Sequence, residues 1–303
     1  MECVLVLISD PAAPAVTPDM VTRAQQLLPA GSAPTWLNDG VACELVFAET
    51  GSAELSDLEQ ALRGALGPAP IDIALLPANG RRKALLLADM DSTIIGQECI
   101  DELGALSGLG GQIADITTRA MRGELDFSAA LRERVGLMKG IDASSIERVI
   151  AERITFTHGG STLVQTMRAN GAYAALVSGG FNAFTAFVAR ETGFDEHRGN
   201  QLIIADGMLT GTVAEPILGR FAKLETLHEL TARRDIAIED VVAVGDGAND
   251  LDMLSAAGLG VAFRAKPIVA EAAQIRIDHG DLTALLYLQG YHAGEFVNPA
   301  RTD

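Results

Sequence analysis

Basic residues are scarce in this 303-residue chain: 23 lysines and arginines stand against 40 aspartates and glutamates, a formal net charge of −17. A general nucleic-acid binder needs a basic face to neutralise phosphates, so the composition argues against that class. Any phosphate ligand must be held by local donors, against the overall field. Cysteine is scarcer still. Cys3, Cys43 and Cys99 are scattered and show no CxxC spacing, which speaks against a disulfide framework or a zinc site and for a reducing, cytoplasmic setting. All three read as small buried apolar residues. Long apolar runs are missing too. None approaches the roughly 20 residues of a membrane span, and "MECVLVLISD" lacks a positive start, so it reads as a strand and not as a signal peptide. No repeat or low-complexity segment is present. What the chain does have is material for burial: 48% of its residues are hydrophobic, enough for one large domain and a small one.

Residues 1–80 read as a unit. "ECVLVLI" is a strand, and "TPDMVTRAQQLL" a helix with a Thr cap and Pro at its first position. A short strand in "APTWL", an alternating strand "GVACELVFA", a helix "LSDLEQALRGAL" and a strand "IDIALLP" complete a β-α-β-β-α-β order, the ferredoxin-like arrangement. "PANGRRK", Pro77 to Lys83, reads as a linker. The remainder, 81–303, changes pattern. "ALLLADMD", "AYAALVSGG", "DVVAVGDG" and "GLGVAF" are apolar runs ending in Gly or Asp, each followed by a helix. Continuous apolar runs suit a Rossmann-like parallel sheet covered on both faces. Ligands in such α/β sheets bind beyond the carboxyl ends of the strands. Between the first two runs, at about 97–157, "QECIDELGALSG", "QIADITTRAMRG", "DFSAALRERVGLMKG" and "SSIERVIAERI" read as helices of an inserted cap. "NQLIIADGMLTGTV" reads as a hairpin turning at Asp206-Gly207.

The polar residues of interest sit at strand ends. Asp89 and Asp91, at i and i+2, point to one side in extended geometry. The pair is either a polar turn or a site, in which one carboxylate acts as nucleophile and its neighbour moves protons. Asp246 and Asp250 end another strand. An EF-hand is ruled out there because Ala257 stands at the twelfth position, where a bidentate Glu is required. Carboxylates gathered from two strands suit Mg²⁺, which keeps waters and completes its shell with substrate phosphate. Ser178, Gly179 and Gly180 precede a helix start and form a candidate anion site, although Ser-Gly-Gly turns are common. Lys223, on a helix, becomes interesting as the cation that a phosphate among carboxylates needs.

"DMDST" at 89–93, "SGG" at 178–180, Lys223 in "AKLETL" and "GDGAND" at 245–250 occur in the order found in the haloacid-dehalogenase-like phosphatases. From about Lys83 onward the chain resembles that family, and within it the members that hydrolyse phosphoserine. The resemblance implies that Asp89 is the nucleophile forming an aspartyl-phosphate and Asp91 the acid and base. It implies Mg²⁺ on the Asp89 carboxylate, the Asp91 backbone carbonyl and Asp246, with Asp250 orienting Lys223 or a metal-bound water. Ser178, Gly179, Lys223 and Asn249 would grip the phosphoryl oxygens, and Gly180 would line the substrate. Glu98 would read the substrate ammonium, Arg134 its carboxylate, and Phe127 would close over the site. An acid for an amine and a guanidinium for a carboxylate is the pairing expected physically. Glu98 also reads as a first-turn helix acid, and Arg132 competes with Arg134. His158 departs from the family, whose members commonly carry Pro there. The N-terminal unit resembles the ACT fold in element order, which implies an amino-acid effector. The implied reaction is hydrolysis of O-phospho-L-serine, ending serine synthesis. The alternatives are another small phosphomonoester, transfer to an alcohol acceptor, or an amino-acid sensor with secondary phosphatase activity.

Overall fold

The computed structural model describes residues 2–29, 33–48, 52–122, 124–219 and 221–298. Its N-terminal part runs β1 (Glu2–Ser9), α1 (Pro18–Leu27), β2 (Thr35–Asn38), β3 (Ala42–Ala48), α2 (Ser52–Leu66) and β4 (Ile71–Pro77), with an antiparallel sheet in the order β2-β3-β1-β4. The Thr17 hydroxyl caps α1 by accepting the Met20 N–H, and Pro18 opens the helix without wasting a donor. Strand alternation gives the sheet two apolar faces. Leu5, Leu7 and Leu45 pack under α1 and α2. Val4, Val6 and Ile8 face the other way and share one core with Leu282, Leu285 and Tyr287 near the C-terminus.

The larger part continues with β5 (Leu85–Ala88), α3 (Cys99–Leu106), α4 (Gly110–Met121), α5 (Phe127–Leu137), α6 (Ser144–Glu152), α7 (Gly160–Ala169), β6 (Tyr173–Phe181), α8 (Asn182–Thr192), β7 (Glu196–Asn200), β8 (Leu202–Ala205), β9 (Met208–Val213), α9 (Ala222–Arg234), β10 (Val241–Gly245), α10 (Leu251–Ala256), β11 (Leu259–Phe263), α11 (Pro267–Ala272), β12 (Ile275–Ile277) and α12 (Ala284–Leu288). Six strands form a parallel sheet in the order β12-β11-β10-β5-β6-β7. Central β5 is wholly buried, as its unbroken apolar run requires. Leu85 and Leu87 face α9 and α10, while Leu86 and Ala88 face the core shared with the N-terminal sheet. The chain leaves β5 for β6 and β7, then crosses back to β10. The order therefore reverses between β5 and β10, and a ligand crevice opens at their carboxyl ends.

Five helices, α3 to α7, lie between β5 and β6, and the first four of them, α3 to α6, form the helical insert. Their entry and exit segments pair: the Gly96 N–H donates to Thr155 O and the Thr157 N–H to Ile94 O, both at 3.0 Å. The helix read over "QIADITTRAMRG" ends in Gly123, which lies outside the described residues. The β8–β9 hairpin turns at Asp206-Gly207 with φ of 51° and 78°, the two positive values of a tight hairpin turn. Its tip meets the helical insert, where the Gly140 and Ala143 N–H groups donate to Leu209 O and Gly207 O at 2.8 Å.

The Pro77 to Lys83 segment is pinned at several points. Arg81 pairs with Glu44 at 2.7 Å, and the Lys83 N–H donates to Gln289 at 3.0 Å. Nearby, buried Asp72 of β4 accepts the N–H groups of Asp278 at 2.8 Å and Gly280 at 2.7 Å. Two strands had no signal in the sequence. β7, "EHRGN", and β12, "IRI", are the sheet's edges, where one neighbour and partial cover remove the need for an apolar run.

Candidate active site

The crevice is a cavity of about 210 Å³ lined by groups from both the sheet and the inserted helices. Asp89, Asp91, Glu98, Phe127, Arg134, Ser178, Gly179, Gly180, Asp246 and Asn249 all line it. Lys223 lies just beneath, bordering a small side pocket shared with Ser178, Gly179 and Asn249. Residues from six separate stretches of the sequence thus converge beyond the carboxyl ends of β5, β6 and β10, some from the strand ends and some from helices.

Asp89 leaves β5 and caps its own turn, Oδ1 accepting the Met90 N–H at 2.7 Å. The same oxygen is 2.7 Å from Lys223 Nζ, which also donates to Asp250. Asp250 in turn accepts the Gly247 N–H at 2.9 Å, so its carboxylate holds both the lysine and the loop after β10. The chain then turns sharply through Ser92, in the left-handed region at φ 55°, and runs out toward the insert. Asp91 accepts the Cys99 N–H and the Ser178 hydroxyl, both at 3.0 Å. Gly179 is a necessity of close approach. A Cβ there would lie 2.8 Å from the Phe127 ring, which covers it from the start of α5.

The electrostatics are those of surplus negative charge. Burial first, and then the Asp250 charge, push the Asp89 carboxyl well above the usual carboxylate range despite Lys223. Burial likewise raises Asp91, against its bonds to Cys99 and Ser178, and raises Asp246, against nearby Lys266. Burial alone would lower Lys223, but Asp89 and then Asp250 outweigh it and hold the ammonium above its ordinary value. Two ammonium groups, Lys223 and Lys266, against the carboxyl groups of Asp89, Asp91, Asp246 and Asp250 leave the cluster short of positive charge. Carboxylate oxygens of Asp89, Asp246 and Asp250 lie within 4.8 Å of one another. A crowded set of hard oxygen donors with uncompensated charge fits a small divalent cation.

At the cavity mouth Glu98 accepts the Ser92 hydroxyl at 2.9 Å, and burial of its carboxyl, with Asp91 nearby, raises it to about 7. Arg134, half-buried on α5, is lowered by burial against the pull of Asp101 and Glu98. Arg132 turns away to an exposed pair with Glu215 at 2.7 Å. His158 lies outside the cavity, its carbonyl accepting the Leu282 N–H at 3.1 Å. Two residues were missed from sequence. Lys266 lines the cavity with Nζ 3.5 Å from Asp246, and it follows β11, so the strand-end rule that found Asp246 points to it too. Buried Thr93 reaches Asp246 at 3.4 Å and sits inside the "DMDST" stretch, but carries no charge to mark it.

The model of the haloacid dehalogenase-like hydrolases matches residues 86–255, and the chain belongs to that family. It is 42% identical over 246 residues to the phosphoserine phosphatase of Streptomyces coelicolor, covering 80% of this chain and 60% of that one, so it spans under two thirds of that relative's length. Among solved structures, a haloacid dehalogenase family hydrolase from Salmonella enterica serovar Typhi superposes with a TM-score of 0.83 at 31% identity, over 95% of this chain and 98% of that one. A phospho-aspartyl intermediate analogue of phosphoserine phosphatase superposes with a TM-score of 0.63 at 41% identity, over 68% of this chain and 98% of its own.

Proposed function

We propose that the chain hydrolyses O-phospho-L-serine to L-serine and phosphate, the last step of serine synthesis, through an aspartyl-phosphate at Asp89. The observation that carries this reading is that one small cavity holds both a phosphoryl-transfer set and, at its mouth, Glu98 and Arg134. That acid and guanidinium match the ammonium and carboxylate of an amino acid. The similarity to named phosphoserine phosphatases supports the same substrate.

Asp89 attacks phosphorus while the bond to the serine oxygen breaks. Asp91, its carboxyl raised by burial, gives that oxygen its proton. Water then attacks the phosphorus, Asp91 takes the water's proton, and the bond to Asp89 breaks to release phosphate. Ser178, Gly179, Lys223 and Asn249 hold the phosphoryl oxygens throughout, and Phe127 shields the site. The carboxylates of Asp89 and Asp246 and the Asp91 carbonyl would hold Mg²⁺, which would supply the charge neutralisation that lets one anion approach another. Asp250 keeps Lys223 aimed at Asp89.

Phosphate release with Mg²⁺ from a panel of phosphoserine, other phosphoamino acids and sugar phosphates tests the reading. Preference for phosphoserine is expected. Preference for a sugar phosphate, or transfer to an added alcohol in place of water, overturns it. We divide the chain into an ACT-like unit, 1–80, and a phosphatase, 81–303, capped at about 97–157. The buried cysteines support the cytoplasm as its compartment, and no helix among the described residues is long and apolar enough to cross a membrane. Serine is the candidate effector of the N-terminal unit. Calorimetry of the full chain separates the sites: serine binding that survives Arg134→Ala belongs outside the cavity, and its complete loss removes the effector.

A further inference from the structure

The Ser178–Gly180 turn is a bulge in the sheet, and something must hold it open. β6 and β7 pair in register from Ala175 opposite Glu196 to Val177 opposite Arg198, and pairing resumes at Phe181 opposite Asn200. Three residues of β6, Ser178, Gly179 and Gly180, therefore stand against Gly199 alone. The bulge frees backbone groups to face a ligand, but it forfeits ladder hydrogen bonds. Asn200, 2% exposed at the end of β7, replaces them. Its Nδ2 donates to Gly179 O at 2.8 Å.

The same amide also faces the approach to Lys223. Asn200 Oδ1 accepts the Leu218 N–H at 2.8 Å, and Nδ2 donates a longer bond to Leu218 O at 3.3 Å. Leu218 lies a few residues before α9, which carries Lys223. Gly199 completes the mould. A Cβ on it would lie 2.9 Å from the Asn182 nitrogen and 3.0 Å from the Phe181 carbonyl carbon, inside the space the bulge needs.

We propose that Asn200 is a positioning residue for phosphoryl binding, its buried amide fixing the Ser178–Gly180 turn relative to the segment that delivers Lys223. The two sides of the phosphate cradle come from different elements, and this amide joins them. It rests on the reading of Ser178, Gly179 and Lys223 as the phosphate grip, and it touches no substrate itself.

The test is calorimetric binding of inorganic phosphate, with Mg²⁺ present, to the full chain and its variants, beside kcat and KM for phosphoserine. Asn200→Ala should weaken phosphate binding by about tenfold or more, since small misplacements of a positioned group are costly, and should lower kcat/KM in parallel. Asn200→Asp keeps an acceptor for the Leu218 N–H but loses the donor to Gly179 O. It should bind phosphate no better than Asn200→Ala. If Asn200→Ala does not fold, Asn200→Ser, whose single hydroxyl cannot serve both sides, should give weakened binding. Wild-type phosphate affinity in any folded variant overturns the proposal, even if its melting temperature falls. An enzyme that ignores phosphoserine yet binds phosphate in an Asn200-dependent way would sink the substrate assignment and leave this one standing.

Discussion

Asp89 and Glu98 each carry an electrostatic load with a measurable consequence. The Asp89 carboxyl is raised in the folded state by burial and by Asp250. Its ionisation therefore costs native stability, and the cost grows as pH rises above the unfolded carboxylate range. Asp89→Asn should lose turnover by about 10⁴-fold or more, as removal of a nucleophile does. In the presence of a chelator it should melt at or above the wild-type temperature at pH 8, and the advantage should shrink toward pH 4. Lower stability at pH 8 would contradict the charge argument. Glu98, raised to about 7, should lose its attraction for an ammonium group as pH falls through that value. The kcat/KM for phosphoserine should drop on that side, and Glu98→Gln should flatten the limb. An alkyl phosphate without an amine shares the phosphate titration and serves as the control. An identical limb for both esters would remove Glu98 from amine recognition.

At the scale of elements, α5 brings two groups to the cavity, Phe127 at its start and Arg134 in its last turn. Asp126 caps it by accepting the Ala129 N–H at 2.7 Å. Asp126→Ala should cost about 1 kcal/mol of stability and raise KM for phosphoserine several-fold with little change in kcat, because the frayed turn is the one that places Phe127. Chemical denaturation and steady-state kinetics check both halves. Elements also show why some of the site was legible in the sequence and some was not. Buried strands such as β5 and β10 need apolar residues along their length, so their polar ends stand out and mark Asp89 and Asp246. Edge strand β7 has no such contrast, and its "RGN" hides the amide that holds the Ser178–Gly180 bulge. Lys266 follows a strand as legible as any other. It stands outside the four motifs that carry the resemblance. The choice between Arg132 and Arg134 needed the helix's orientation, which spacing alone does not give.

For the whole molecule, the shared core means that the two sheets stand or fall together. Val4, Val6 and Ile8 pack with Leu282 and Leu285, and Asp72 ties β4 to the loop after β12. Trp36, the only tryptophan, lies on β2 and reports on the N-terminal sheet. In urea, its emission change should coincide with loss of phosphatase turnover. Asp72→Ala, which orphans the buried Gly280 N–H and the part-buried Asp278 N–H, should move both transitions together to lower urea, by the equivalent of about 1–3 kcal/mol. Two separated transitions in the wild type would show that the units unfold independently. The ferredoxin-like order was readable from alternating strands and capped helices. The seating of that sheet on the larger, parallel-sheet part was not, because an apolar strand face does not name its partner.

The reversal of strand order between β5 and β10 also has a consequence for biosynthesis. Asp89 and Asp246 are separated by more than half the chain, and β5 gains its β10 neighbour only after that length has been made. Such a site forms through non-local pairing, late in folding. A nascent chain emerging from the ribosome would have its nucleophile long before its acidic partner. It would remain chemically silent toward phosphate esters until β10 has been made and has paired with β5.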